Sequence, residues 1–364
     1  MTDDIHMAHA LALAARGLGR TWPNPAVGCV IVQGDRVVGR GWTQPGGRPH
    51  AEVRALEAAG TFARGATAYI TLEPCAHHGQ TGPCAEALIA AGVARVVSAM
   101  TDPDPRVQGR GHAMLRAAGI AVTEGVMEVR ARTLNAGFLL RVTQGRPLVT
   151  LKLAMSLDGR IANAAGESRW ITGPMARRAV HAMRATHDAV MVGIGTVLAD
   201  DPDLTVRDLG CAHQPLRLVL DTHLRLPPGS RLVRSAAETP VWVCHGPKAE
   251  PATCKQLLQA GVTLIAGATG PSGQVDLTQT LQTLGARGLT RLFCEGGGRV
   301  AAAMIAADLA DRLVTFHAGH AFGATGTPAI GPLTATPLGQ PNFTLDRIEQ
   351  IGHDSLSHWN RRVP

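Results

Sequence analysis

Hydrophobic and polar positions along the first 145 residues alternate with helix and strand periods. Residues 27–42 alternate with a period of two on either side of Gly34-Asp35, which predicts a β-hairpin. Because helical and strand patterns follow each other in turn, this half predicts an α/β layered domain. Further helices are predicted at 51–60, 84–92, 111–119 and 127–143, and further strands at 66–73, 94–100 and 121–126.

The second half resumes this alternation after a short break. Gly145-Arg146-Pro147 follows a helical stretch, and glycine and proline beside a helix end are typical of a linker. We therefore expect two domains, 1–145 and 147–364, which agrees with a length of 364 residues. Strands are predicted at 147–156, 188–193, 216–220, 240–244, 290–294 and 312–317, helices at 174–186, 252–260, 277–287 and 298–307, and a Gly/Pro/Thr-rich loop at 323–341.

Hydropathy and cysteine usage predict a cytoplasmic protein without membrane contact. No apolar run approaches the roughly 20 residues needed to cross a bilayer. The N-terminus, MTDDIHMAHALALAARG, begins acidic and predicts an amphipathic helix, whereas a secretory signal begins with positive charge. Seven cysteines, an odd number scattered over a long chain, disfavour a disulfide framework.

The net charge of +7 favours anionic partners, either nucleic acid or phosphorylated small molecules. The basic residues are mostly arginines, spread along the chain rather than clustered. Aromatic residues make up 3% of the chain, too few to offer stacking platforms to a single nucleic-acid strand. We therefore expect a phosphorylated small-molecule partner and no nucleic acid.

Candidate chemistry is concentrated in the stretch LEPCAHHGQTGPC, residues 72–84. Cys75 and Cys84 supply two thiolates, and His50, which follows Pro49 upstream, supplies an imidazole. A Cys₂His set is typical of Zn²⁺, and three protein ligands leave the fourth position for water. Cys84 also opens a predicted helix, whose first N–H groups favour the thiolate form. The pattern predicts a hydrolytic zinc site.

Glu52 lies two residues after His50 and is predicted to be the general acid and base rather than a ligand. Both side chains reach one cavity if the pair lies where a helix begins, which Pro49 favours. The H-x-E and P-C elements match zinc nucleobase deaminases, although eight residues rather than two separate the cysteines. A closed site with His77 or His78 as fourth ligand is the alternative, but it leaves Glu52 without a role. A redox pair is disfavoured because no C-x-x-C is present.

Several motifs together resemble those of one family. The first half contains, in this order, TWPNPAVGCVIV, PHAEVRAL, TLEPCAHHGQTGPC and AAGVARVV. The second half contains LKLAMSLDGRIA, GESRWITG, VGIGTVLADDPDLTVR and LFCEGGGRVAAAMI. Over nearly its whole length the chain resembles the bifunctional deaminase/reductases of riboflavin biosynthesis, and the match weakens after about residue 320.

The resemblance implies a cytidine-deaminase-like α/β/α domain followed by a dihydrofolate-reductase-like α/β domain. It implies zinc-dependent hydrolytic deamination of 2,5-diamino-6-(5-phosphoribosylamino)pyrimidin-4-one to 5-amino-6-(5-phosphoribosylamino)uracil. It also implies NADPH-dependent reduction of the ribosyl to the ribityl side chain. The expected cofactors are one Zn²⁺ per chain and NADPH. The expected partners are the phosphorylated substrate and further copies of this chain.

The resemblance also implies site residues. Asn24 matches a substrate-contacting asparagine, although an asparagine between two prolines is also typical of a turn. Gln80 stands where some relatives carry a basic residue, so this chain lacks that charge for a phosphate contact. Substrate contacts are implied for Lys152, Ser168, Arg184, Leu204, Arg207 and Glu295. Cofactor contacts are implied for Ala154, Trp170, Thr196, Asp200, Thr222, Gly297, Gly298, Arg299, Val300, Ala301, Ala302 and Ala303.

The chemistry of these residue types agrees with some of these roles and leaves alternatives. Residues 296–298 are glycines between a predicted strand and a predicted helix, where backbone N–H groups can approach a phosphate; a turn is the alternative. Arg184 and Arg207 suit a phosphate, although a single arginine is more often a solvated surface residue. Lys152 lies in an apolar strand, where it either stabilises charge developing on the sugar oxygen or extends to solvent. We expect no single indispensable residue for hydride transfer, since the cofactor carries that chemistry.

Two other function classes stay open. One is a nucleic-acid base deaminase with a C-terminal binding module, which the scarcity of aromatic residues and lysine runs disfavours. NADPH binding by residues 147–364 would exclude it. The other is a non-catalytic zinc protein, which a zinc site without exchangeable water would favour.

Overall fold

The computed structural model describes residues 2–78, 82–105, 107–333 and 342–362. It divides into two units, Met1–Arg146 and Pro147–Pro364. Gln80 and residues 334–341 of the predicted loop lie outside the described residues.

The first unit is built on one mixed sheet. Its elements are α1 Thr2–Ala14, β1 Gly28–Gln33, β2 Arg36–Trp42, α2 Ala51–Ala59, β3 Thr67–Ile70, α3 Cys84–Ala90, β4 Arg95–Ser98, α4 Arg110–Ala117, β5 Ala121–Thr123, α5 Glu128–Leu134 and α6 Ala136–Gln144. The strand order is β2-β1-β3-β4-β5, with β1 antiparallel to both neighbours and β3, β4 and β5 parallel. The predicted hairpin at 27–42 is confirmed as β1 and β2.

A glycine in β2 lets α2 approach the sheet closely. A Cβ at Gly41 would lie 2.1 Å from the carbonyl oxygen of Ala51, the first residue of α2. Any larger residue at this position would push the helix away from the strand. The close approach fixes the first turn of α2, which follows His50 and contains Glu52.

The helix predicted at 127–143 is in fact two helices, α5 and α6, which meet at Asn135. The buried Asn135 side chain accepts a hydrogen bond from Ala26 N and donates one to Ala26 O, both at 3.0 Å. The Asn135 side chain therefore connects α5 and α6 to the loop that contains Asn24. Periodicity does not reveal it, because the partner lies 109 residues away.

The described residues of the second unit form a nine-stranded sheet. Its elements are β6 Leu148–Met155, β7 Arg160–Ala162, α7 Pro174–Ala185, β8 Ala189–Gly193, α8 Ile194–Asp200, β9 Leu216–Leu220, α9 Arg231–Arg234, β10 Val241–His245, α10 Pro251–Gln259, β11 Thr263–Ala266, α11 Leu277–Ala286, β12 Arg291–Cys294, α12 Gly298–Ala306, β13 Arg312–His317, β14 Thr327–Pro328, β15 Phe343–Ile351 and β16 Asp354–Arg361. The strand order is β11-β10-β9-β8-β12-β6-β13-β16-β15, and β7 pairs with β14 separately.

The strands from β11 to β13 in this order are parallel. β8 and β9 are buried along their whole length, as expected when both faces of a parallel sheet are covered. The carboxyl ends of parallel strands meet at one edge, where open α/β sheets bind ligands. Thr222, after β9, and Glu295, after β12, therefore approach the same edge.

The antiparallel hairpin of β15 and β16 extends the sheet beyond β13. The sequence did not predict it, because most β15 side chains are exposed. A strand without a buried face lacks the alternation of hydrophobic and polar residues by which strands are recognised.

Candidate functional site

His50, Cys75 and Cys84 come together in the first unit. His50 Nδ1 lies 3.3 Å from Cys84 Sγ and 3.8 Å from Cys75 Sγ. The three ligand atoms all lie within 4.8 Å of one another. Two sulfur atoms and one imidazole nitrogen at this spacing fit a zinc ion.

Three different elements supply these ligands. His50 immediately precedes α2, Cys75 follows the end of β3, and Cys84 is the first residue of α3. The Cys84 N–H points at Cys75 Sγ over 3.3 Å, and Ala85 N donates to Cys75 O at 3.2 Å. The start of α3 therefore holds the backbone and the sulfur atom of Cys75 together.

The environment favours a thiolate at Cys75. A hydrogen bond from the Cys84 thiol, with a further contribution from His50, lowers the pKa of Cys75 to about 4. The thiolate, not the thiol, is the form that binds zinc. When bound, zinc activates water for hydrolysis.

Glu52 lies in the first turn of α2 and is 4% exposed. Burial raises the pKa of its carboxyl group, which suits a group that must both accept and release a proton. His50 precedes α2 and has an extended backbone. The side chains of His50 and Glu52 are therefore not forced to opposite faces of the helix, which is the condition that the sequence analysis set for one shared cavity.

In the described part of the chain, no second histidine joins these ligands as a fourth. The metal-binding atoms that cluster there are those of His50, Cys75 and Cys84 alone. His78 Nε2 instead lies 3.2 Å from Glu86 Oε1, and the His78 side chain is 74% exposed. A site with three protein ligands keeps a position open for water, as hydrolysis requires.

Asn24 lies next to the turn that leads to His50. Its Nδ2 donates to Gly47 O at 3.0 Å, and a Cβ at Gly47 would lie 2.2 Å from that nitrogen. Asn24 thus has a turn-like backbone contact, and its side chain is only partly buried.

Sequence reasoning missed Glu73, a buried carboxylate two residues before Cys75. It accepts hydrogen bonds from Asp102 N at 3.1 Å and from Gly109 N and Gly111 N, both at 2.9 Å. These bonds connect the segment after β3, which contains Glu73 and Cys75, to the start of α4. The one available signal was an acidic residue within a strongly apolar strand pattern.

In the second unit, Lys152, Arg184 and Glu295 form one ionic cluster. Arg184 Nε lies 2.6 Å from Glu295 Oε1, and Lys152 Nζ lies 3.6 Å from Glu295 Oε2. The side chain of Arg184 is 11% exposed, that of Lys152 16% and that of Glu295 10%. A mostly buried lysine in this cluster does not extend to solvent, which excludes that alternative for Lys152.

Burial and pairing act in opposite directions on the pKa values in this cluster. Burial alone would raise the pKa of Glu295, but the charges of Arg184 and Lys152 hold it below its ordinary value. Burial lowers the pKa of Lys152, and Glu295 opposes that effect. The cluster keeps one carboxylate between two cations at the carboxyl edge of the sheet.

The glycines after β12 lead into α12, which begins at Gly298. Within the described ranges, no side chain caps this helix start, so its first N–H groups can bind a phosphate. A Cβ at Gly297 would have Thr196 Oγ1 as its nearest neighbour, at 3.6 Å. This open, uncapped helix start fits the diphosphate of a dinucleotide.

The predicted cofactor residue Asp200 lies beside Ser168, which is predicted to contact the substrate. Ser168 Oγ lies 3.4 Å from Asp200 Oδ1, and Thr222 Oγ1 accepts from Val275 N at 3.1 Å. Trp170 is 67% exposed, with the Arg177 guanidinium 4.7 Å from its ring centre. Ala154 lies on β6, Arg299, Val300 and Ala303 lie on α12, and the side chains of Ala301 and Ala302, also on α12, are buried.

Leu204 and Arg207 belong to the segment between α8 and β9. Leu204 is 3% exposed, whereas Arg207 is exposed and pairs with Asp203 at 3.3 Å. The main chain of this segment reaches the ionic cluster, because Arg184 Nη1 donates to Thr205 O at 2.8 Å.

Known families match both units. Residues 1–100 match the zinc-binding region of cytidine and deoxycytidylate deaminases, and residues 147–357 match the RibD C-terminal domain. The riboflavin biosynthesis protein RibD of Escherichia coli is 43% identical over 98% of this chain and 99% of its own length. The chain belongs to the RibD family. RibD of Aquifex aeolicus is 41% identical, over 99% and 98% of the two chains.

Solved RibD structures share the whole fold. Acinetobacter baumannii RibD superposes with a TM-score of 0.88 at 40% identity, and covers 99% of both chains. A Thermotoga maritima protein, a diaminohydroxyphosphoribosylaminopyrimidine deaminase/5-amino-6-(5-phosphoribosylamino)uracil reductase, gives 0.87 at 35% identity over 99% of both chains. The predicted fold, a deaminase-like domain followed by a reductase domain, is confirmed.

RibD membership defines the activity class. RibD proteins are bifunctional enzymes of riboflavin biosynthesis, with a zinc-binding deaminase domain and a reductase domain that uses NADPH. The predictions of a bifunctional enzyme, of zinc and of NADPH are confirmed. No helix in the described ranges is long and apolar enough to span a bilayer.

Proposed function

We propose that this chain deaminates 2,5-diamino-6-(5-phosphoribosylamino)pyrimidin-4-one and then reduces the ribosyl group of the product with NADPH. The observation that carries this proposal is the presence, in one chain, of a three-ligand metal set beside a buried carboxylate and an uncapped glycine-rich helix start beside an ionic cluster. The Thermotoga maritima relative bears the names of both activities.

In the deaminase half, His50, Cys75 and Cys84 hold the zinc ion, and Glu52 moves the proton. Glu52 takes a proton from the attacking water and passes it to the leaving amine, so that ammonia leaves and a carbonyl group remains. A buried carboxyl with a raised pKa is suited to both transfers. Asn24, beside the turn that leads to His50, contacts the substrate.

In the reductase half, the start of α12 and Thr196 hold the cofactor phosphates, with Ala154, Trp170, Asp200 and Thr222 along the rest of the dinucleotide. Lys152, Arg184 and Glu295 face the sugar. NADPH would supply a hydride to C1′ of the ribosyl group while the bond between C1′ and the ring oxygen breaks. The ring oxygen would leave with negative charge and take up a proton to become a hydroxyl group of the ribityl chain. A fixed cation near that oxygen stabilises the transition state. Ser168, Leu204 and Arg207 complete the substrate contacts.

The domain boundary, the location and the assembly are further parts of the proposal. We place the deaminase domain at 1–145 and the reductase domain at 147–364, in a cytoplasmic enzyme. We infer a homo-oligomer, because β15 forms an edge of the described sheet with mostly exposed side chains. An unpaired edge strand of this length readily pairs with another chain.

One purified sample tests the two reactions together. Zinc content, deamination of the diaminopyrimidinone and NADPH oxidation with the deaminated product are measured on the same preparation. We expect one zinc per chain and both activities. A sample that contains zinc and binds NADPH but transforms neither substrate would refute the substrate assignment.

A further inference from the structure

The segment Asp203–Arg207, between α8 and β9, has an unusual backbone. Leu204 has a φ of 57°, in the left-handed region, and Asp201 and Asp208 on either side have φ values of 39° and 62°. Aspartate tolerates this region, but a branched apolar residue such as leucine rarely adopts it. A backbone of this kind persists where the surrounding structure holds it in place, and such positions cluster at functional sites.

Two side chains that have no assigned role hold this segment by its main chain. His181, on α7, places Nδ1 3.2 Å from Thr205 O and 3.3 Å from Arg207 N. Gln214 accepts from Val206 N at 2.7 Å and donates to Val206 O at 3.1 Å. Gln214 thus holds both backbone groups of Val206, and His181 holds either Thr205 O or Arg207 N, depending on which ring nitrogen carries the proton.

His181 is also connected to the ionic cluster. It lies three residues before Arg184 on α7, and residues at this spacing share a helix face. Both side chains meet at Thr205 O, since Arg184 Nη1 donates to it at 2.8 Å. Two side chains of one face of α7 therefore hold the segment Asp203–Arg207, and one of them, Arg184, links it to Glu295.

The state of the His181 ring agrees with this role. The ring is 9% exposed, and burial, with the positive charges of Arg184 and Arg207, lowers its pKa. A neutral imidazole carries one donor and one acceptor nitrogen. With either arrangement of its proton, Nδ1 bonds to this segment, through Thr205 O or through Arg207 N.

We propose that His181 and Gln214 are positioning residues of the reductase: they hold Asp203–Arg207 in the conformation that presents the main chain at Leu204 and the exposed Arg207 side chain to the phosphorylated substrate. This inference rests on the proposed function, since it assumes that the segment contacts the substrate of the reductase. Neither residue touches the reacting atoms. Each acts through the backbone that it holds.

The test compares reductase kinetics of five full-length proteins: wild type, His181→Leu, His181→Asn, Gln214→Met and the control Arg178→Ala. Arg178 is an exposed residue of the same helix. His181→Leu and Gln214→Met remove the hydrogen bonds at similar volume. Asn can place a polar atom where His181 Nδ1 lies. The substrate is the deaminated intermediate, and its dissociation constant is measured separately by calorimetry without NADPH.

We expect His181→Leu and Gln214→Met to raise the KM and the dissociation constant for the intermediate about tenfold or more, since small misplacements of contacting groups are costly. The turnover number, NADPH affinity and deaminase activity should change little. His181→Asn should restore most of the affinity, and Arg178→Ala should behave as wild type.

Two results would overturn the inference. One is a KM within about twofold of wild type in folded Gln214→Met and His181→Leu proteins, because the two residues would then serve stability alone. The other is a loss of turnover number at constant KM. Failure of the proposed function is seen separately, because wild-type protein would then not reduce the intermediate at all.

Discussion

The Glu295 carboxylate lies 2.6 Å from Arg184 Nε, although 111 residues separate the two in the chain. Lys152 approaches the other carboxylate oxygen from β6. Three elements of the second unit therefore meet at one charge, close to the edge at which parallel strands end. A buried carboxylate that two cations share is stable only while both partners stay in place.

Glu295→Gln should destabilise the second unit and change its response to acid. The amide keeps the shape of the side chain but leaves Lys152 and Arg184 without a countercharge, at a cost of about 3 kcal/mol. The folded-state pKa of Glu295 lies below its ordinary value of 4.5, so the carboxylate contributes stability above that pH. This contribution is lost as the pH falls through the folded-state pKa.

Thermal unfolding measured from about pH 7 down to acid checks this prediction. The unfolding temperature of wild type should fall more steeply with acid than that of Glu295→Gln. Asp203→Asn is the matched control, because Asp203 pairs with Arg207 at the surface, where both side chains are more than a third exposed. Parallel acid profiles of wild type and Glu295→Gln would contradict the role of the pair.

Glu52→Gln should separate the two chemistries. If Glu52 moves the proton, deaminase activity should fall by ~10²–10⁴-fold, while zinc stays, since Glu52 is not a ligand. With the diaminopyrimidinone as substrate the variant should consume almost no NADPH. With the deaminated intermediate it should consume NADPH at the wild-type rate. Loss of that second rate in a folded, zinc-containing variant would show that the two sites do not work independently.

Cys75→Ser should abolish the zinc site. Serine replaces a thiolate by a hydroxyl that does not ionise at neutral pH, so two good ligands remain. Metal analysis should find far less than one zinc per chain, and deaminase activity should disappear. Cys254→Ser, at a partly buried cysteine of the second unit, should keep its zinc. Full zinc occupancy in Cys75→Ser would disprove the ligand assignment.

Gly297→Val should weaken NADPH binding without unfolding the protein. Among the residues that the structure describes, the nearest atom to a Cβ at Gly297 is Thr196 Oγ1 at 3.6 Å. The backbone there has φ −66°, so the described fold accepts a side chain. A diphosphate bound against the same backbone would collide with that side chain. Titration with NADPH should show a clear rise in its dissociation constant. Gly229→Val, at an open position, should leave the affinity unchanged.

A comparison with Gly298→Ala shows how the two glycines differ. A Cβ at Gly298 would lie 2.7 Å from Pro328 O, so this substitution disturbs the protein itself. We expect a lower unfolding temperature in Gly298→Ala and an unchanged one in Gly297→Val. Equal NADPH affinity in Gly297→Val and wild type would argue that the diphosphate lies elsewhere.

The sequence by itself determined most of the deaminase site. Cys75 and Cys84 lie in one short stretch, and His50 and Glu52 share the start of one helix, so local patterns expose the ligand types and their order. The α/β class was determined in the same way. Each helix or strand with a buried face shows its own repeat of hydrophobic and polar residues, so the alternation of the two element types is visible in the sequence. Among the features that the pattern missed are the break at Asn135, the short helix α8, the strand β11 and the hairpin of β15 and β16.

Only the tertiary structure decided which charged residues of the second unit work together. Lys152, Arg184 and Glu295 come from β6, α7 and the end of β12, and no local spacing relates them. The same is true of His181 and Gln214, which act on the main chain of residues 205–207. Hydrogen bonds and ion pairs between distant elements depend on how the sheet is ordered, and strand order is a property of the packed fold rather than of any local sequence period.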